Sequence, residues 1–300
     1  MKYFFISILL ILLASAVGCK KKDETATSGH RLLLTADPYA PLMQQEVEQF
    51  MSIYPQVKME VRSVSTREAV VLLLNDSVQS IIIDRQFNVE EQQVIHQAAI
   101  RIIENKIAED GIAVIVHKQN PISSIRAESV RNIVTNTVKD WNQITEAHWS
   151  GTIDFVLTSK NSGMYELLQE KIFSVSKPLE PTTIMSNQSE VIQYVSMHPQ
   201  SVGCVAASLV NDGKAQIKVI PLIAKSPEGI ETKYEPRQQE IYNALYPFHY
   251  SLYLYNAETK TSVGVGFGAL VLSDIGQKII QRAGLVPVSI PYRTIQLHAE

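Results

Sequence analysis

Asn161, Ser162 and Gly163 are the residues best suited to chemistry in this chain. An apolar run, Ile153-Asp154-Phe155-Val156-Leu157, precedes them. After them, Leu167, Leu168, Ile172 and Phe173 recur at helical spacing. The stretch therefore reads strand, polar loop, helix. Asn and Ser cap helix starts, and a Gly lets a ligand approach the backbone. A helix start carries unpaired N–H groups and the positive end of the dipole, which together suit an anion. An ordinary capped helix uses the same residues, so the loop gains meaning only if other polar groups face it.

Three other loops qualify. Ala36-Asp37-Pro38 follows the apolar run Arg31–Thr35, Val64-Ser65-Thr66 follows the alternating run Val57–Ser63, and Asp84-Arg85 follows Ile81-Ile82-Ile83. Each is followed by a helical pattern: Pro41 to Ile53, Ser65 to Leu74, and Asn88 to His96. Strand and helix in alternation argue for a parallel sheet covered by helices, where ligands collect at the carboxyl ends of the strands.

The remaining chain supplies more of the same. Ile112–His117 is a predicted strand, turned by Asn120-Pro121; Ala127–Val134 is a short helix, and Lys139–Ile144 a loop anchored by Trp141. Ser186-Asn187-Gln188-Ser189 caps a helix through Ser196. Val202–Ala206 and Ile217–Ile220 are predicted strands, and Tyr246–Tyr255 is a strand crossing back. Ser226–Gly229 and Glu235–Arg237 mark a polar surface excursion. Gly264, Gly266 and Gly268 do not form a dinucleotide fingerprint, because no strand leads into them.

Composition sets limits. The 300 residues carry a formal charge of −3, which argues against nucleic acid as a partner. There is no G-x-S-x-G, no H-E-x-x-H and no P-loop, and the 7 His residues are scattered, so neither an enzyme, a metal nor a cofactor is expected. Lys2, the apolar run Phe4–Leu13 and Ala16-Val17-Gly18 before Cys19 read as a signal peptide over residues 1–18. The Cys19 context resembles a bacterial lipobox, which implies a lipid on Cys19 and attachment to a membrane of the cell envelope. Residues 19–30 are polar and read as a flexible tether. The other cysteine, Cys204, lies in an apolar strand and is expected to be a core thiol.

Several blocks then fall in a familiar order. They are Asn120-Pro121, Val130–Val134 with Asp140–Ile144, Ser162-Gly163, Glu190–Val195 leading to Val202–Val205, and Tyr246-Pro247 leading to Tyr253-Leu254-Tyr255. Leu272–Gln277 followed by Ala283–Pro287 is the best match. Together they resemble the phosphate-binding proteins of bacterial phosphate ABC importers, within the type II periplasmic binding proteins. The resemblance implies an α/β fold of two lobes, each a mainly parallel sheet flanked by helices, with two hinge crossings near His117–Asn120 and Tyr246–Tyr250. Lobe 1 would comprise residues 31–117 and 247–300, and lobe 2 residues 118–246. It also implies a monomer that binds phosphate or a similar oxyanion and partners a permease.

By the same resemblance, the Ser162 hydroxyl and the amides of Gly163 and Met164 would donate from one lobe, and Ser65, Thr66 and their amides from the other. Asp84 would be the acidic acceptor for a protonated phosphate, with Arg85 or Lys160 supplying charge. This chain departs from the family at Thr158, where the family has an arginine, and at Met164, where it has a threonine. Its first loop holds Asp37, whose carboxylate would repel a dianion unless it points away or is protonated. A lipoprotein that keeps the fold as a sensor or adhesion module is the alternative function.

Overall fold

A computed structural model describes residues 24–174, 178–210, 216–258 and 261–289. The expected signal peptide, Cys19 and the start of the tether lie outside these residues. Gly29 and His30, the end of that tether, already belong to strand β1 (Gly29–Ala36). They pair with Val57 and Lys58, and Glu24 forms an ion pair with Arg31.

The first lobe alternates strand and helix as its pattern predicts. β1 leads to α1 (Ala40–Ile53), β2 (Val57–Val64) to α2 (Thr66–Leu74), and β3 (Ser80–Ile83) to α3 (Val89–Gln97). β2, β1 and β3 lie side by side and parallel. β4 (Ile102–His117) then runs for 16 residues. Its first half pairs antiparallel with β12 (His249–Ala257), and its second half with β8 (Ser201–Ala206). The register passes from His249–Gly111 on one side to Ala206–Ile112 on the other. The lobes therefore meet at Gly111–Ile112, earlier in the chain than the expected crossing near His117–Asn120. No loop marks the change, because one unbroken strand serves both lobes. The return crossing lies at Phe248, whose carbonyl accepts from the Ile112 amide at 2.7 Å.

In the second lobe a short strand β5 (Ile125–Arg126) precedes α4 (Ala127–Val134), and β6 (Asp154–Thr158) precedes α5 (Gly163–Glu166), which widens into a π-helix at Leu167–Ile172. β7 (Thr183–Met185), α6 (Gln188–Val195) and β8 follow, and β6 sits between β7 and β8, parallel to both. β9 (Ile217–Val219) joins β4. The predicted surface excursion is a hairpin of β10 (Leu222–Lys225) and β11 (Glu231–Tyr234). After α7 (Gln238–Tyr242) the chain returns through β12 to α8 (Val263–Val271), α9 (Asp274–Arg282) and β13 (Val286–Pro287).

Trp141 is fully buried, and its indole N–H donates to the Gln200 carbonyl at 3.1 Å, so it anchors its loop as expected. Cys204 is a core thiol, and burial pushes its pKa up to about 12. At the lobe junction Asp110 is buried, and Ser208 of the second lobe donates to it through both hydroxyl (2.5 Å) and amide (3.2 Å). The Tyr39 hydroxyl also reaches Asp110 and lies 2.6 Å from the Tyr250 hydroxyl. Burial raises the Asp110 carboxyl to about 6 against these donors.

Candidate functional site

Strand ends and helix starts from both lobes converge on one cleft of about 240 Å³ at the carboxyl edges of β1, β2, β3 and β6. From the first lobe come Ala36, Asp37 and Pro38, then Ser63, Val64, Ser65 and Thr66, and then Asp84. Thr158, Ser159, Ser162 and Gly163 face them from the second lobe, with Ser186, Asn187 and Gln188 beside them.

Each helix start has a local reason. Ser65 is extended, and its Oγ accepts from the Glu68 amide, which starts α2. Ser162 does the same for α5 by accepting from the Tyr165 amide at 3.2 Å. Asn187 starts α6 by accepting from the Glu190 amide at 2.9 Å. Thr158 Oγ1 and Ser162 Oγ lie 2.6 Å apart. One hydroxyl must donate to the other, so whichever way the bond runs, the pair keeps one O–H free for the cleft.

Asp84 is buried to 1 % exposure and accepts from the Thr66 hydroxyl at 2.8 Å. Burial raises its pKa; the Thr66 bond and the neighbouring Arg85 charge act in the opposite direction. The two walls touch here, because a Cβ on Gly163 would stand 1.8 Å from Asp84 Oδ1. Asp37 also bridges the lobes: Ser63 Oγ donates to its Oδ1 at 3.4 Å, and the Gln188 amide to its Oδ2 at 3.2 Å. The Arg67 amide adds a third link, donating to the Asn161 carbonyl at 3.2 Å.

Asp37, Ser65, Thr66, Asp84, Thr158, Ser162 and Gly163 thus come together as the sequence suggests. The side chains of Arg85 and Lys160 do not, and Met164 brings only its backbone. The Arg85 guanidinium turns away from the cleft to pair with Glu91, at 2.7 Å, and with Glu166. Glu91 is held in place by the capping box it forms with Asn88, so the acceptor stands ready beside the helix start. Met164 is fully buried and packs in the core with Leu167 and Leu168, leaving only its backbone at the loop. Lys160 is exposed and lies outside the cleft lining. Lys160→Ala is therefore expected to change ligand affinity less than about threefold, since an exposed charge is screened by salt; calorimetric titration of the variant checks this.

Ser63, Ser159, Ser186, Asn187 and Gln188 are lining residues that sequence reasoning missed as a group. The signal was present in Ser186–Ser189, read as a cap alone. What placed it at the cleft was its position after a third short strand, β7. Among the described residues no Lys or Arg lines the cleft, and no group of three His, Cys, Asp or Glu side chains is placed to hold a metal ion.

Comparison with known proteins gives one consistent answer. The family model for the PBP superfamily domain matches residues 21–274. The phosphate-binding protein PstS of Pseudomonas aeruginosa is 23% identical over 282 residues, covering 89% of this chain and 85% of that protein. A phosphate ABC transporter substrate-binding protein of Clostridium perfringens, solved with bound phosphate, superposes with a TM-score of 0.74 at 21% identity, over 87% of this chain and all (100%) of that one. An ABC-type phosphate transport receptor of Vibrio cholerae gives 0.67 at 17% identity, over 85% and 99%. With two lobes joined by crossing strands and a cleft between them, the chain belongs to the PBP superfamily and has the type II periplasmic binding protein fold.

Proposed function

We propose that this chain is a binder rather than an enzyme, and that it captures phosphate between its lobes outside the cytoplasm for an ABC importer. The observation that carries this is the cleft itself, where hydroxyls and helix starts from both lobes converge on a space suited to a small anion. The phosphate-binding and phosphate-transport proteins to which the chain is similar point the same way. The one free O–H of the Thr158–Ser162 pair and Ser65 are the donors, and Asp84 accepts from the ligand's own hydroxyl. A charge-assisted bond contributes about 1.5–3 kcal/mol net, so a few such bonds hold a dehydrated anion. A lipid on Cys19 holds the protein at a membrane.

Titrating the purified protein with inorganic phosphate in a calorimeter is the test. Saturable heat is expected, and no heat at millimolar phosphate overturns the reading. Incorporation of labelled palmitate, lost in Cys19→Ser, tests the anchor separately. The absence of a lining cation among the described residues favours a second reading, a lipid-anchored sensor built on the same fold. Phosphate uptake that survives deletion of the gene, with binding intact in vitro, selects that second reading.

A further inference from the structure

The cleft's charges do not match those of a site for a dianion. Its lining holds two carboxylates, Asp37 and Asp84, and no lysine or arginine among the described residues. The guanidinium next to Asp84 in the chain, Arg85, is already neutralised by Glu91 and Glu166. Each carboxylate has a donor from the protein and room for more. Asp84 takes one from Thr66, and Asp37 takes one each from Ser63 and Gln188, whereas an ionised carboxylate offers about four lone-pair positions.

A carboxylate facing an oxyanion repels it unless a hydrogen lies between them. Two carboxylates therefore call for two hydrogens, and the protein offers no compensating cation. HPO4²⁻ has one hydrogen and two charges; H2PO4⁻ has two hydrogens and one charge. Sulfate near neutral pH has none. We infer that the cleft takes phosphate as its monoanion, with one ligand hydroxyl donated to Asp84 and the other to Asp37. This rests on the phosphate reading above and makes Asp37 a residue that sets which protonation state enters.

Among the groups that face the ligand, phosphate's own second dissociation, near neutral pH, is the main titration; Asp110, raised to about 6, stands at the lobe junction outside the cleft lining. Around Asp84 stand Thr66, the paired Arg85 and the buried hydroxyls of Tyr39 and Tyr250. Around Asp37 stand Ser63 on β2 and the start of α6, where Glu190 accepts from the Ser186 amide and the Asn187 side chain. Glu68 is exposed in the first turn of α2, and the mostly exposed Arg67 sits 3.9 Å from Glu166.

The experiment is calorimetric titration of the purified full-length protein with inorganic phosphate between about pH 5.5 and about pH 8.5, with sulfate as the second probe. Affinity is expected to stay level at the acid end and to fall about tenfold per pH unit above neutrality, the slope of one linked proton. Sulfate is expected to give no heat. Asp37→Asn places an N–H donor where only an acceptor stood, so it should flatten the profile and admit sulfate at least tenfold better. Asp37→Ser, which removes the charge without adding bulk, should behave likewise if the amide disturbs folding. Affinity that holds or rises toward about pH 8.5, or an unchanged profile in both variants, overturns the inference and leaves phosphate binding standing. No phosphate heat at any pH removes the phosphate reading itself, and this inference with it.

Discussion

Gly163→Ala is expected to weaken phosphate binding at least a hundredfold, about 3 kcal/mol, while the chain stays folded. The added Cβ would stand 1.8 Å from Asp84 Oδ1 and 2.2 Å from its Cγ. Asp84 cannot step aside, because it is 1 % exposed and bonded to Thr66. The clash is relieved only if the lobes part. Parting them withdraws Ser162 and the start of α5 from the first lobe, so the anion loses half its donors at once. The clash is confined to the cleft, and each lobe has an apolar cluster of its own, around Leu34 and Ile81 in the first and Val156 and Val191 in the second, so circular dichroism should change little. Calorimetry with phosphate reads the effect. Binding within threefold of the parent protein would show that contact between Gly163 and Asp84 is not part of the binding state.

The second large effect lies outside the cleft lining. Glu46 on α1 is fully buried, and neither carboxyl oxygen has a hydrogen-bond partner among the described residues. Burial raises its pKa from 4.5 to about 8. The folded chain thus holds this proton after the unfolded chain has released it. The stability involved is fully present below the unfolded value and is lost as pH rises toward about 8. The slope is up to about 1.4 kcal/mol per pH unit, so several kcal/mol are at stake across that window. Glu46→Leu fills the same space without a charge. It should raise the melting temperature by several degrees near pH 8 and by little near pH 5. A gain equal at both pH values, or none, would count against an uncompensated carboxyl at this position.

Much of this architecture is legible in the sequence, and the failures share a physical cause. Local patterns put Ser65, Thr66, Asp84, Ser162 and Gly163 at strand ends and helix starts that line one cleft, because a strand end followed by a cap fixes where a short polar side chain begins. Such residues have little reach. Long side chains are different: the direction of Arg85 is decided by Glu91 on the next helix and by Glu166, 81 positions away on the other lobe. No local pattern contains that choice. At Met164 the apolar face it joins, with Leu167 and Leu168, claims the side chain and leaves its backbone at the loop. The first half of β4 went unread because Glu104-Asn105-Lys106 interrupts any apolar run there. Its pairing with β12, rather than its own composition, makes it a strand.

That strand has a mechanical corollary. A ribbon hydrogen-bonded to partners on both sides resists sliding and shear, so the two halves of the molecule have little freedom except flexure about the point where its partners change, at Gly111. A leaf spring behaves in this way: its recoil is set by the metal and not by the load. The ease of solute release would then be tuned at Gly111 and at Ile241, whose Cδ1 leaves only 3.0 Å for a side chain there, without any change to the groups that touch the solute.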